Sequence, residues 1–180
     1  ARLVYARLQR ERGELAEAYG QYLRSAEQYP EEIEARRALA EMAVEGGNWD
    51  EAERHGLVAI GLAPEDPVVR AVIAALDYRA AAMAEDSEAM AAAAAAAAAV
   101  LDASPGHMIA QRLRIDHFAR TGNIAAALDQ TDQALVEQPD SIELYRLKLR
   151  LLAERDDEEA LGAQLREMYD RFPGDEETRR

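Results

Sequence analysis

The stretch GNWDEAERHGLVAIGLAPED, residues 47 to 66, reads as one turn, one helix and one stop. Gly47 closes the preceding helix. Asn48 is placed to cap the next one, with Glu51 three residues on as a capping-box partner, and Trp49, Ala52, Gly56 and Ala59 fall on one helical stripe, which predicts a buried Trp49, before Pro64 ends it. The same phase recurs upstream as GELAEAYGQYLRSAEQYPEE, residues 13 to 32, and downstream as GNIAAALDQTDQALVEQPDS, residues 122 to 141. Pro30, Pro64, Pro105, Pro139 and Pro173 are separated by 34, 41, 34 and 34 residues, Gly13, Gly47 and Gly122 keep step with them, and Asp156 stands 34 after Gly122. A residue before proline is pushed out of helical geometry, so each proline marks the end of a helix.

This period predicts an all-α chain, an α-solenoid of five helix-turn-helix repeats with about ten antiparallel-paired helices and turns near Gly13, Gly47, Asp86, Gly122 and Asp156. The units run over about residues 1–32, 33–66, 67–107, 108–141 and 142–175 of a single array, with residues 176–180 a charged tail. Asp66 before Pro67 is a strong helix start. The third unit is seven residues longer, and sharing those residues between two antiparallel helices adds about one turn, roughly 5 Å, to each, so that AEDSEAM projects as a knob. Its second helix, near Glu88 to Ala103, is almost pure alanine, which favours helix but buries little area; close packing inside the array is the expectation, and an alanine-faced contact between chains the alternative. The last helix, roughly Glu158 to Phe172, carries one stripe of Leu161, Leu165, Met168 and Phe172 and reads as a cap with a wet outer face. By contrast, Leu3, Val4, Tyr5 and Leu8 crowd the first helix with nothing upstream to cover them, which suggests missing sequence or a partner.

With 35 acidic against 21 basic residues the formal charge is −14, which opposes a phosphate backbone and an anionic membrane surface alike and argues against nucleic acid as a partner. No apolar run approaches the roughly 20 residues that span a bilayer, so no membrane insertion is expected in this segment. There is no cysteine, which removes disulfides and thiolate zinc sites and leaves both cytoplasm and periplasm open. Twenty of the 21 basic residues are Arg, a bias that fits a GC-rich genome. The sequence starts at Ala1 without an initiator Met, so the expectation is a cut or processed chain whose targeting segment, if any, would lie upstream.

Chemistry is thin. His55, His107 and His117 share no metal-ligand spacing and read as surface histidines. The hydroxyl nucleophiles are few, none sits in a G-x-S-x-G turn, and no glycine-rich phosphate loop follows a strand. Paired carboxylates such as Glu31 and Glu32 fall at turns and helix starts, where they complement helix dipoles. The expectation is no enzyme, no cofactor and no metal.

The 34-residue length and the Gly, aromatic, Ala, Ala, Pro phase resemble the tetratricopeptide repeat family over nearly the whole chain, from Ala1 to about Asp175. Ala6, Ala18 and Pro30, then Ala40, Ala52, Ala59 and Pro64, then Ala74, Ala93 and Pro105 stand at the small-residue and terminator positions of that pattern. Ile115 opposite Ala127, and Leu149 opposite Leu161, depart from it with large residues that should spread the helix pairs; only Tyr145 holds the family's tryptophan position. The resemblance implies a non-catalytic protein–protein interaction module, a scaffold or adaptor that takes an extended peptide or a partner's helix on the concave face made by the first helix of each unit. Oligomerisation or packing through the first helix or the alanine-rich helix, and a regulatory domain of a larger enzyme, are the alternatives. Chaperone-binding members grip a terminal carboxylate with Lys, Asn and Arg; here the corresponding positions carry Leu3, Arg7, Ala38, Val68 and Val72, so no affinity for chaperone C-termini is expected. By repeat phase the concave face receives Arg7, Arg10, Arg37, Glu41, Ala71, Ala75, Tyr78, Ile109, Arg112, Asp116, Arg146 and Arg150. Arg37, Ala75, Tyr78, Arg112, Asp116, Arg146 and Arg150 are the candidate binding residues, suited to an acidic, partly apolar segment. Against this, Arg37 with Glu41 and Arg112 with Asp116 stand at the i,i+4 spacing of ordinary helix-surface pairs, whereas Arg146 and Arg150 set two like charges one turn apart.

Overall fold

The computed structural model describes residues 2–174, so the expected tail lies outside the described residues. Among the described residues there are ten α-helices and no strand: α1 (Arg2–Glu11), α2 (Leu15–Gln28), α3 (Ile33–Glu45), α4 (Trp49–Leu62), α5 (Pro67–Met83), α6 (Ser87–Ala103), α7 (Met108–Arg120), α8 (Ile124–Glu137), α9 (Ile142–Glu154) and α10 (Glu158–Arg171). The chain divides into two compact units, Ala1–Ala110 and Gln111–Arg180.

One turn is built five times. Gly13, Gly47 and Gly122 have φ of 77°, 71° and 75°, and Glu85 and Asp156 adopt the same left-handed conformation at 55° and 58°. At each turn the N–H of the left-handed residue donates three residues back, as Gly47 does to Val44 at 3.1 Å, and the next N–H donates five back, as Asn48 does to Ala43 at 2.8 Å. This is the Schellman closure, which satisfies carbonyls that the helix end would otherwise leave bare. The third turn therefore pivots on Glu85, with the expected Asp86 one residue on as N-cap, its carboxylate accepting from the Ala89 N–H.

The other connection is equally regular. Tyr29, Ala63, Ser104, Gln138 and Phe172, each preceding a proline, leave the helix at φ between −121° and −146°. Asp66 caps α5 by accepting from both Val68 and Val69, with Pro67 in the first turn. The seven extra residues divide as expected: α5 and α6 have 17 residues each, against 13 and 14 in α3 and α4. Met83 and residues 84–88 at the hairpin tip are exposed.

In the first unit Ala6, Ala18, Tyr22, Ala26, Ala35, Ala38 and Leu39 form one buried cluster. The close-approach alanines Ala40, Ala52, Ala74 and Ala93 are buried as well. In the second unit the cluster is Ile115, Ala127, Leu128, Ala134, Leu144, Leu147, Leu151 and Leu152, so the large Ile115 is accommodated beside Ala127.

Local expectations at Asn48, Trp49, His55 and His107 are corrected. Asn48 makes no side-chain cap, and the Glu51 carboxylate is engaged elsewhere, by the Tyr19 hydroxyl at 3.0 Å and by Arg54 and His55. Trp49 is only half-buried, lying under the Arg79 guanidinium at 4.8 Å from its ring centre, so its removal costs less than a core tryptophan would. His55 is not a surface residue: it is 1% exposed, with Nδ1 3.2 Å from Arg36 and Nε2 3.3 Å from Glu51. Burial, then the charges of Arg54 and Arg36, push its pKa down. His107 is buried too, and burial again lowers its pKa against the pull of Glu41 and Asp66.

Candidate functional site

The first helices of the first unit carry a chain of charges. Arg7 on α1 meets Glu34 on α3 at 2.9 Å. One turn on, Arg10 pairs with Glu41 and, at 3.0 Å, with Glu45. Burial disfavours the charge on Arg10, but the two carboxylates more than offset it and hold its pKa above the usual guanidinium value. Glu45 is raised instead, since burial outweighs its attraction to Arg10. Arg37 reaches forward to Asp66, the N-cap of α5, at 2.9 Å. The i,i+4 pair of Arg37 with Glu41 does not form, because each has a better partner on another helix.

Between these pairs lies a cavity of about 410 Å³ lined by Arg7, Arg10, Glu11, Tyr22, Glu34, Arg37, Ala38 and Glu41. Its walls are charged, and Tyr22 and Ala38 are the buried, uncharged part of its lining. Four residues placed on the binding face by repeat phase, Arg7, Arg10, Arg37 and Glu41, thus come together here. Tyr22 and Glu34 were not legible as lining residues: Tyr22 belongs to a second helix, and Glu34 reads as one more acid in the first turn of α3. Ala75 and Tyr78, the expected apolar centre, are each 8% exposed and present little surface of their own.

The second unit gathers a different set. Asp116 on α7 lies within the electrostatic reach of Arg112, Arg150 and Arg120. Burial raises its carboxyl above the usual range, and the three guanidinium groups pull the other way. Asp116 is nonetheless an exposed residue, so solvent screens the effect of its surroundings on that charge. Arg112 and Arg150 are exposed, and Arg146 on α9 is half-buried. Arg7, Arg10 and Arg37 of the first unit each meet a carboxylate at ion-pair distance, whereas the exposed Arg112 and Arg150 act on one acid, Asp116, as nearby charges.

Among the described residues no group of three or more His, Cys, Asp or Glu could hold a metal, and no helix is long and apolar enough to cross a membrane.

A family model for the tetratricopeptide repeat matches residues 3–67 and 84–142. No curated protein matches the chain. Among solved structures, a thermophilic tetratricopeptide repeat protein of Thermus thermophilus is 19% identical over 99% of this chain and 93% of its own, with a TM-score of 0.75. YrrB, a protein described as having an unusual peptide-binding site, is 16% identical over 96% of this chain and 86% of its own, at 0.55. MamA is 12% identical over 96% and 90%, at 0.57. At these identities the likeness is one of fold.

Proposed function

Since the chain belongs to the tetratricopeptide repeat family, we propose that it is a non-catalytic protein–protein interaction module that binds an acidic, partly apolar peptide segment along the first helices of its repeats. The family is one of interaction scaffolds, and a structural relative carries a peptide-binding site. The observation that carries the reading is the arginine set around Asp116: Arg112 and Arg150 are exposed on first helices, and both act on that one carboxylate as nearby charges. A ligand carboxylate takes up that unbalanced positive charge, and bidentate pairing with guanidinium favours it over a lysine-rich alternative. In the first unit the cavity between α1 and α3 has room for a ligand side chain against Tyr22 and Ala38. There a ligand acid must displace Glu34, Glu41 or Asp66, so that unit contributes shape more than charge.

Selection of random peptides displayed on phage tests this. Enriched sequences should combine Asp or Glu with an apolar residue, and calorimetric titration of the best one should lose at least tenfold in affinity with Arg112→Glu or Arg150→Glu, at unchanged melting temperature. Arg24→Glu, on the second helix α2, should bind as the parent does. Enrichment of basic peptides, or equal binding by all variants, would overturn the assignment.

A further inference from the structure

Within the first compact unit, consecutive repeats meet through one recurring joint. Gly56 of α4 lies so close to α5 that a Cβ added there would meet Val72 Cγ1 at 3.1 Å, Leu76 Cδ1 at 3.5 Å and Ile73 Cδ1 at 3.6 Å. One repeat earlier, Tyr22 of α2 shares a core with Ala38, Leu39 and Met42 of α3. By the proline spacing, Tyr22 and Gly56 hold one repeat position, and Thr131 and Leu165 hold it in later units. Likewise Ala38, Leu39 and Met42 answer to Val72, Ile73 and Leu76, and in the first helix to Val4, Tyr5 and Leu8. Tyr22, Gly56 and Thr131 are buried, yet Leu165 is 42% exposed and Tyr169, one turn along α10, is exposed beside it. On the other side of the joint Ala38 and Val72 are 7% and 0% exposed, while Val4 is 53% exposed and Tyr5 and Leu8 are open with it.

The first helix therefore presents the surface that elsewhere receives a second helix, and the last helix presents the surface that elsewhere receives a first. We propose that the chain associates head to tail, with Val4, Tyr5 and Leu8 of one copy stacking on Leu165 and Tyr169 of the next, as α5 stacks on α4 within the chain. The joint itself names a second copy as the occupant: Val4, Tyr5 and Leu8 hold the repeat positions of Val72, Ile73 and Leu76 on α5, and Leu165 holds that of Gly56 on α4, so each end of the chain carries one half of a contact that the chain already makes internally. Because the two surfaces differ, the contact is heterologous and does not stop at a dimer. It is independent of the peptide-binding reading, since it uses neither the cavity nor the Asp116 set.

Light scattering of the 180-residue chain over a concentration series should show a weight-average mass that rises past the dimer. Val4→Glu and Leu165→Glu, both at exposed positions, should each give a monomer of unchanged helical content. Each variant spoils a different side, so mixing them should restore a 1:1 heterodimer and nothing larger. A parent chain that stays monomeric throughout, a Leu165→Glu variant that still self-associates through paired α1 faces, or a mixture without heterodimer would each overturn the proposal.

Discussion

In the hairpin of α5 and α6 the buried side chains include Ala71, Ala74, Ala75, Ala81, Ala93, Ala94 and Ala97; in the hairpin of α9 and α10 they include Leu144, Tyr145, Leu147, Leu151, Leu152 and Met168. Both hairpins close with the same Schellman hydrogen bonds, and both pivot on an acidic residue in the left-handed region where the other three use glycine. The first hairpin also buries Val69, Val72, Tyr78, Val100 and Leu101, so the two differ in their share of alanine, and that difference shows two ways of meeting one requirement. Small side chains let helix axes approach and gain contact by closeness, at little apolar area per turn; large ones hold the axes apart and gain by area. The alanine hairpin is also the long one, so extra turns offset the smaller area of each. The leucine hairpin adds polar ties instead: the Tyr145 hydroxyl donates to Glu167 at 3.0 Å, and its ring meets Phe172 edge-on at 5.3 Å.

The largest expected contrast comes from truncation. Leu151→Ala removes a fully buried side chain and should destabilise the chain by about 2–5 kcal/mol. Ala97→Gly, at an equally buried site, should cost only about 1 kcal/mol, the loss of helix propensity. Urea unfolding followed by circular dichroism measures both. A larger loss at residue 97 would mean that the alanine helix carries more packing energy than its area allows.

Enlargement separates closeness from propensity. Ala97→Leu should cost about 1–3 kcal/mol by overpacking, while Ala96→Leu on the exposed side of the same helix should stay within about 0.5 kcal/mol of the parent. If Ala97→Leu is silent, the hairpin has slack and its alanines serve propensity alone.

How much of this was legible follows from the range of each interaction. Helix number, order and the division of the seven extra residues came from the proline and glycine spacing, because helix ends are local events governed by backbone dihedral preferences. The joint between α4 and α5 was half legible: Gly56 stood on the stripe, but its closeness to Val72 is a relation between two helices. Charge pairing was the weakest reading. The i,i+4 rule assigned Arg37 to Glu41, yet Asp66, 29 residues away, is brought within 2.9 Å by the repeat geometry, and Glu41 goes to Arg10. Such a surface pair is worth only a few tenths of a kcal/mol, so a small geometric advantage elsewhere redirects it. His55 was misplaced on the surface for the same reason, since its partners Arg36 and Glu51 are assembled from two helices.

The smallest effect concerns the two acidic pivots. A non-glycine residue in the left-handed region is strained by about 1 kcal/mol, and Asp tolerates that region better than Glu because its short side chain bonds locally to the backbone. Glycine removes the strain but enlarges the freedom of the unfolded chain, which takes back part of the gain. Glu85→Gly should therefore stabilise by about 0.5 kcal/mol, and Asp156→Gly by less. The converse change, Gly122→Ala at φ 75°, places a Cβ where nothing lies within 4 Å, so crowding contributes nothing and the backbone term alone should cost about 1 kcal/mol. Differential scanning calorimetry of the three variants checks the order. A destabilised Glu85→Gly would show that the tip of the α5–α6 hairpin depends on the Glu85 side chain itself, and that the alanine hairpin has a polar tie of its own.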